Sequence, residues 1–178
     1  ITANSHKVIH NLLEKIESSA LKQKFIFEGL KMGNPDNEDT FYDGTFIKTD
    51  KNEKHYIDGL KDDGKVLLYA GTKYHLSNWY YQNKLDYLFI DEAGQVTLGT
   101  TIANATAAKN LVLIGDQMQL SQPMRAKHEG YAKLSSLDFV LENNDTIPPD
   151  KGIFLNITRR LNKKKSSKGS SFLLIISG

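Results

Sequence analysis

Apolar positions recur at three-and-four spacing through residues 5–24, where Val8, Ile9, Leu12, Leu13, Ile16 and Leu21 are separated by Lys, Glu and Ser. That period predicts an amphipathic helix with one face on a sheet, and Asn4 or Ser5 suits its N-cap. Residues 24–27 predict a strand. A polar stretch over 31–63 follows, with few apolar anchors, in which Gly33-Asn34-Pro35-Asp36 and Asp62-Asp63-Gly64 read as turns and 55–60 as a short helix. Residues 66–69 predict a strand ending in Ala70-Gly71-Thr72. The unbroken apolar runs 87–90 and 111–114 have the texture of strands buried on both faces of a parallel sheet. Between them Val96, Leu98, Ile102, Ala103, Ala107 and Ala108 predict a covering helix. A further helix is expected over 134–141 and a further strand over 153–157. Strands alternating with helices place the chain in the α/β class, with a mainly parallel sheet flanked by helices. Trp79, Tyr80 and Tyr81 read first as anchors against the sheet edge, and second as surfaces for stacking on nucleotides.

Length and composition bound the possibilities. The 178 residues, 39% hydrophobic and 25% charged, suit one globular domain or part of one. Zero cysteines exclude disulfides and thiolate metal sites, and suit a cytosolic protein. No signal peptide is visible, and no apolar run approaches the roughly 18 residues of a membrane helix, so a cytoplasmic location without a membrane partner is expected. The net charge of +2 is uneven: residues 159–178 hold six basic residues and no acid, which leaves about −4 on the body. Such a body is not a freestanding basic nucleic-acid binder, although a groove that tracks a single strand needs only local positive charge.

Two strand ends carry candidate chemistry. Run 87–90 ends in Asp91-Glu92-Ala93-Gly94-Gln95, and run 111–114 ends in Gly115-Asp116-Gln117-Met118-Gln119-Leu120. Ligands of open α/β sheets collect at the carboxyl ends of strands. A carboxylate there is costly unless a cation meets it, and Mg²⁺ answers that need with one or two carboxylates, waters and phosphate oxygens. Asp91 would hold the ion through water, Glu92 would polarise the attacking water, and Gln119 would sense the terminal phosphate. The competing reading is that Asp91 and Glu92 cap the next helix and that Gly115-Asp116 is a tight turn.

Asp91-Glu92-Ala93-Gly94-Gln95 resembles helicase motif II (Walker B), and Gly115-Asp116-Gln117-Met118-Gln119-Leu120 resembles motif III of superfamily 1 helicases, with Gln117 where Pro is commoner. Thr2-Ala3-Asn4-Ser5-His6-Lys7 is similar to motif Ia, Ala70-Gly71-Thr72 to the motif Ib region, and residues 146–160 to the approach to motif IV. The set looks most like the helicase part of bacterial proteins that fuse a RecB-family nuclease to a superfamily 1 motor. The resemblance implies a RecA-like P-loop NTPase fold, with ATP and Mg²⁺ as cofactors. It implies Asp91 and Glu92 at the metal, Glu92, Gln119 and Arg160 in catalysis, and Asp116, Gln119 and Arg160 near the γ-phosphate. Arg159 is an available substitute for Arg160, because Arg159-Arg160-Leu161-Asn162 replaces the family's aromatic-Arg-Met-His-Pro run. Thr2, Asn4, Ser5, His6 and Thr72 would meet the backbone of a single strand, DNA in preference to RNA. The implied partners are the rest of the helicase chain, including its Walker A segment and second motor domain, and a linked nuclease.

No Gly-x-x-x-x-Gly-Lys-Ser/Thr loop occurs in the chain, and its first residue is Ile1. Residues 1–161 are therefore expected to be a partial motor domain, incomplete at its N-terminal side and with an interior sheet position vacant. Residues 162–178 are expected to form a basic, low-complexity, disordered tail whose apolar end would favour aggregation or misdocking on an open sheet edge. The expected function is part of an ATP-dependent helicase, not competent for turnover by itself. The alternatives are a degenerate helicase-derived module that binds nucleic acid or a partner without ATPase activity, and a metal-dependent hydrolase using Asp91, Glu92 and Asp116.

Overall fold

A computed structural model describes residues 1–52, 67–116, 130–142, 144, 147–155 and 171–177. Its described strands are β1 (Thr2–Ala3), β2 (Glu28–Met32), β3 (Ile47–Asp50), β4 (Leu67–Thr72), β5 (Leu85–Ile90), β6 (Ala108–Asp116), β7 (Gly152–Leu155) and β8 (Ser171–Ser177). The helices are α1 (His6–Gln23), α2 (Lys73–Leu76), α3 (Leu98–Ala105) and α4 (Ser136–Leu141). Short 3-10 turns occupy Trp79–Tyr81, Ala93–Gln95 and Gly130–Lys133. The strands form one sheet in the order β3-β2-β4-β1-β5-β6-β8-β7. The six from β3 to β6 are all parallel, whereas β8 runs antiparallel to both of its neighbours. The α/β class with a parallel sheet flanked by helices is thus observed.

Helix α1 starts where its cap allows. The Ser5 hydroxyl accepts the Val8 N–H at 3.3 Å, which satisfies one orphan donor of the first turn. The helix stops at Lys24, whose left-handed conformation (φ 54°) lets its N–H turn back to the carbonyls of Ala20 and Leu21. Ile9, Leu13 and Ala20 then pack with Ala3, Phe27, Ile47 and Ala70 into one core. On the other face of the sheet, Tyr69, Leu88, Ile90, Leu111 and Leu113 form a second core with Leu76, Tyr81, Val96, Leu137 and Leu141.

Several expectations are corrected. The strand expected at 24–27 lies at Glu28–Met32, because the chain must first unwind through the Lys24 cap. The polar stretch after it contains β3, anchored by a fully buried Ile47. Strand β5 is not buried on both faces: Leu88 and Ile90 are buried, but Tyr87 and Phe89, pointing to the α1 side, are 56% and 38% exposed. In β6, by contrast, Leu111, Val112 and Leu113 are all buried. The disordered tail does not extend to Ser171–Ser177, which forms β8. This strand lies between β6 and β7, with Val112 opposite Ile175 and Ile153 opposite Leu173, so no interior position of the described sheet stands vacant. An apolar run beside two unpaired strand edges satisfies both ladders by pairing with them. The helix expected at 55–60 and residues 162–170 lie outside the described residues. Among the described residues no helix is long and apolar enough to cross a membrane.

Candidate functional site

Parallel register brings four strand ends to one edge. Thr2 pairs with Gly71 and with Ile90, Ala3 with Thr72, and Ile90 with Leu113. The chain leaves that edge through Asn4-Ser5, Thr72-Lys73, Asp91-Glu92 and Asp116. The Asp91 N–H donates to the Thr2 carbonyl at 2.9 Å, so the acid turn begins directly beside β1.

The turn itself is tightly held. Asp91 Oδ1 accepts the N–H of Glu92 at 2.9 Å. Glu92 takes the left-handed conformation (φ 56°, ψ 39°) and its carbonyl accepts the Gln95 N–H at 2.8 Å. A non-glycine residue there costs roughly 1–2 kcal/mol, a strain that recurs at functional sites. Neither acid caps α3, since that role belongs to Thr97, whose hydroxyl accepts the Thr100 N–H. Glu92 does hold the N-cap position of the Ala93–Gln95 turn, but its side chain makes no capping bond there. Two glycines let the turn touch the neighbouring strand end. A Cβ on Gly94 would stand 2.7 Å from the Asp116 carbonyl oxygen, and one on Gly115 would stand 3.0 Å from the backbone nitrogens of Ala93 and Gly94. The two acid-bearing segments thus meet through bare backbone, with Asp91, Glu92 and Asp116 half-buried at the edge. Asp91 and Glu92 suit Mg²⁺, which takes one or two carboxylates and completes its shell with water and phosphate. Among the described residues no group of three or more His, Cys, Asp or Glu could hold a metal.

Beside them lies a second set of groups. The Thr72 hydroxyl is 2.9 Å from His75 Nδ1 and makes no capping bond to the backbone of α2. Lys73 Nζ donates to Asn4 Oδ1 at 3.1 Å, tying the ends of β4 and β1. Ser5 is exposed and its hydroxyl is used as the α1 cap. Thr2 is buried, so its side chain does not face solvent. His6 is half-buried, and burial together with the nearby Lys31, His10 and His75 pushes its pKa down to about 4. Lys31 is fully buried on the α1 side of β2, where its ammonium donates to the carbonyls of Thr40 and, at 3.4 Å, Met32. Burial lowers its pKa to about 8.

Of the residues singled out from the sequence, the fold gathers Asp91, Glu92 and Asp116 in one group and Asn4, Ser5, His6 and Thr72 in the adjoining one. Gln119, Arg159 and Arg160 lie outside the described residues. Sequence reasoning missed Lys31 and Glu17, and picked out Lys73 only as a base near the Trp79–Tyr81 aromatics. Glu17 accepts hydrogen bonds from the Tyr42 hydroxyl (2.8 Å) and the N–H groups of Phe46 (2.6 Å) and Ile47 (3.0 Å). Its signal was available: it falls four residues after Leu13 on the apolar stripe of α1. No protein-family model, no curated protein and no solved structure matches this chain.

Proposed function

We propose that this chain is part of a RecA-like, superfamily 1 helicase motor that couples ATP hydrolysis to movement along single-stranded nucleic acid, DNA in preference to RNA. The observation that carries the proposal is the backbone contact between the Asp91-Glu92 turn and the Gly115-Asp116 strand end at the carboxyl edge of adjacent parallel strands. Ligands of such sheets bind at that edge. Mg²⁺, when bound, neutralises charge on the phosphate oxygens and orients them for in-line attack. Asp91 would hold the ion through water. Glu92, held at the rim by its left-handed backbone, would orient and polarise the attacking water. Asp116, joined to that turn through Gly94, would pass the phosphate state to the Asn4, Ser5, His6 and Thr72 group, where the strand's phosphates would lie.

A second reading, a nucleic-acid-binding module without turnover, is favoured by the lack of a Gly-x-x-x-x-Gly-Lys-Ser/Thr loop in these 178 residues. Mg·ATP turnover of this chain beside the full-length product of its gene separates the two. Under the first reading the full-length protein hydrolyses ATP, and Glu92→Gln lowers its kcat by at least about a hundredfold, as for loss of a positioned acid–base group. Unchanged turnover in Glu92→Gln, or an inert full-length protein that still binds single strands, removes the catalytic assignments.

A further inference from the structure

The stretch from α2 through the Trp79–Tyr81 turn divides its large side chains sharply. Leu76 and Tyr81 are fully buried in the second core and pin the segment to the sheet. Tyr74, Trp79 and Tyr80 are instead 78%, 72% and 40% exposed. Anchoring therefore accounts for Tyr81 alone.

The exposed rings are organised. Trp79 and Tyr80 stack with centroids 4.0 Å apart and planes 28° from parallel, and Lys73 Nζ lies 5.7 Å from the Tyr74 ring centroid. The charge is one-sided as well: residues 67–84 contain Lys73 and Lys84 and no acid, although the body of the chain is net acidic. Lys73 also donates to Asn4, so the aromatic segment is tethered to the edge where phosphates would lie. Exposed aromatics beside lysines, with no carboxylate among them, match the faces of unpaired bases and the charge of a phosphate backbone.

We propose that Tyr74 and Trp79, with Tyr80 stacked behind Trp79, form a base-stacking platform for single-stranded nucleic acid that leaves the Asn4–Thr72 edge. The proposal rests on the reading that this edge faces a strand, and adds a contact to bases. Stacking of this kind tolerates any sequence, because every base has a π-face.

Trp79 is the chain's sole tryptophan, so its emission reports on the platform alone. The 178-residue chain would be titrated at low salt with oligothymidylate of about 12 nucleotides, within the usual span of single-strand sites. Binding would be followed both by Trp79 emission and by anisotropy of an end-labelled strand. The expected result is quenching that tracks the anisotropy, absent with an abasic strand of the same length. Trp79→Ala and Tyr74→Ala should each weaken binding roughly 5- to 150-fold, while Trp79→Phe keeps most of the affinity. Both side chains are outside the core, so the variants should retain the wild-type circular dichroism. Binding that leaves Trp79 emission unchanged, variants that bind like wild type, or an abasic strand bound equally well would overturn the platform. So would failure of the wild-type chain to bind the strand, as for a surface that serves a protein partner. Turnover of the full-length protein and its loss in Glu92→Gln are read separately, so failure of the platform and failure of the motor reading are distinguishable.

Discussion

Gly94→Ala tests whether the two acid-bearing segments are held together by direct backbone contact. The added methyl would lie 2.7 Å from the Asp116 carbonyl oxygen, a backbone atom that cannot swing aside. Ordinary van der Waals contact for such a methyl begins at 3.4 Å, so turn and strand must separate by about 0.7 Å. Overpacking of this kind costs about 1–3 kcal/mol, from a total of roughly 5–15 kcal/mol for a domain. Gly99 supplies the control, because a Cβ there meets nothing within 4 Å and the residue lies inside α3. Gly99→Ala should stabilise by up to about 1 kcal/mol, the helix-propensity difference. The same chemical change should therefore have opposite signs at two positions five residues apart. Urea unfolding reads both: with slopes of about 1–3 kcal/mol per molar, the Gly94→Ala midpoint falls by roughly 1 M and the Gly99→Ala midpoint rises slightly. A Gly94→Ala midpoint within error of wild type, with an unchanged slope, would refute the contact on which the site is built.

Two further predictions concern the α1 side of the sheet. Glu17→Ala should cost at least about 3 kcal/mol, since it strands three donors at roughly 1–3 kcal/mol each. Glu17→Gln, which keeps an acceptor, should cost less, and equal urea midpoints for the two variants would exclude this account. For His6, the folded pKa of about 4 lies below the ordinary 6.5, so on acidification the unfolded chain takes up a proton that the folded chain refuses. Its contribution to stability is present at pH 7 and is lost as pH falls from about 6.5 toward 4. His10 is pushed in the same direction by burial and by Lys31. His6→Gln should flatten the fall in the urea midpoint over that window, and an unaltered pH profile would show that His6 is not its source.

Local pattern made much of this protein legible. The apolar period of α1, the runs that became β5 and β6, and the acids just beyond them are properties of neighbouring residues, and neighbouring residues suffice to set helix or strand texture. Other features depend on which element lies opposite. Tyr87 and Phe89 belong to as apolar a run as Leu111–Val112–Leu113, yet they are exposed, while the buried face of α1 packs with Ala3, Ile47 and Ala70 of β1, β3 and β4. Lys24 ends a helix instead of starting a strand, since its carbonyl partners are offered only by the completed last turn. Glu17 sits on the apolar stripe but finds donors from a loop more than 24 residues away.

The sequence by itself determined the α/β alternation, the buried stripe of α1 and the order of the acid-bearing strand ends. Periodicity and turn chemistry are local, and each is written within one stretch of chain. Only the tertiary structure decided that Asp91-Glu92 abuts Asp116 through Gly94, that Tyr81 turns inward while Trp79 turns out, and that the apolar tail becomes β8 between β6 and β7. Those outcomes depend on strand order, on register and on which backbone edges are left to be paired, and no single stretch of sequence contains that information.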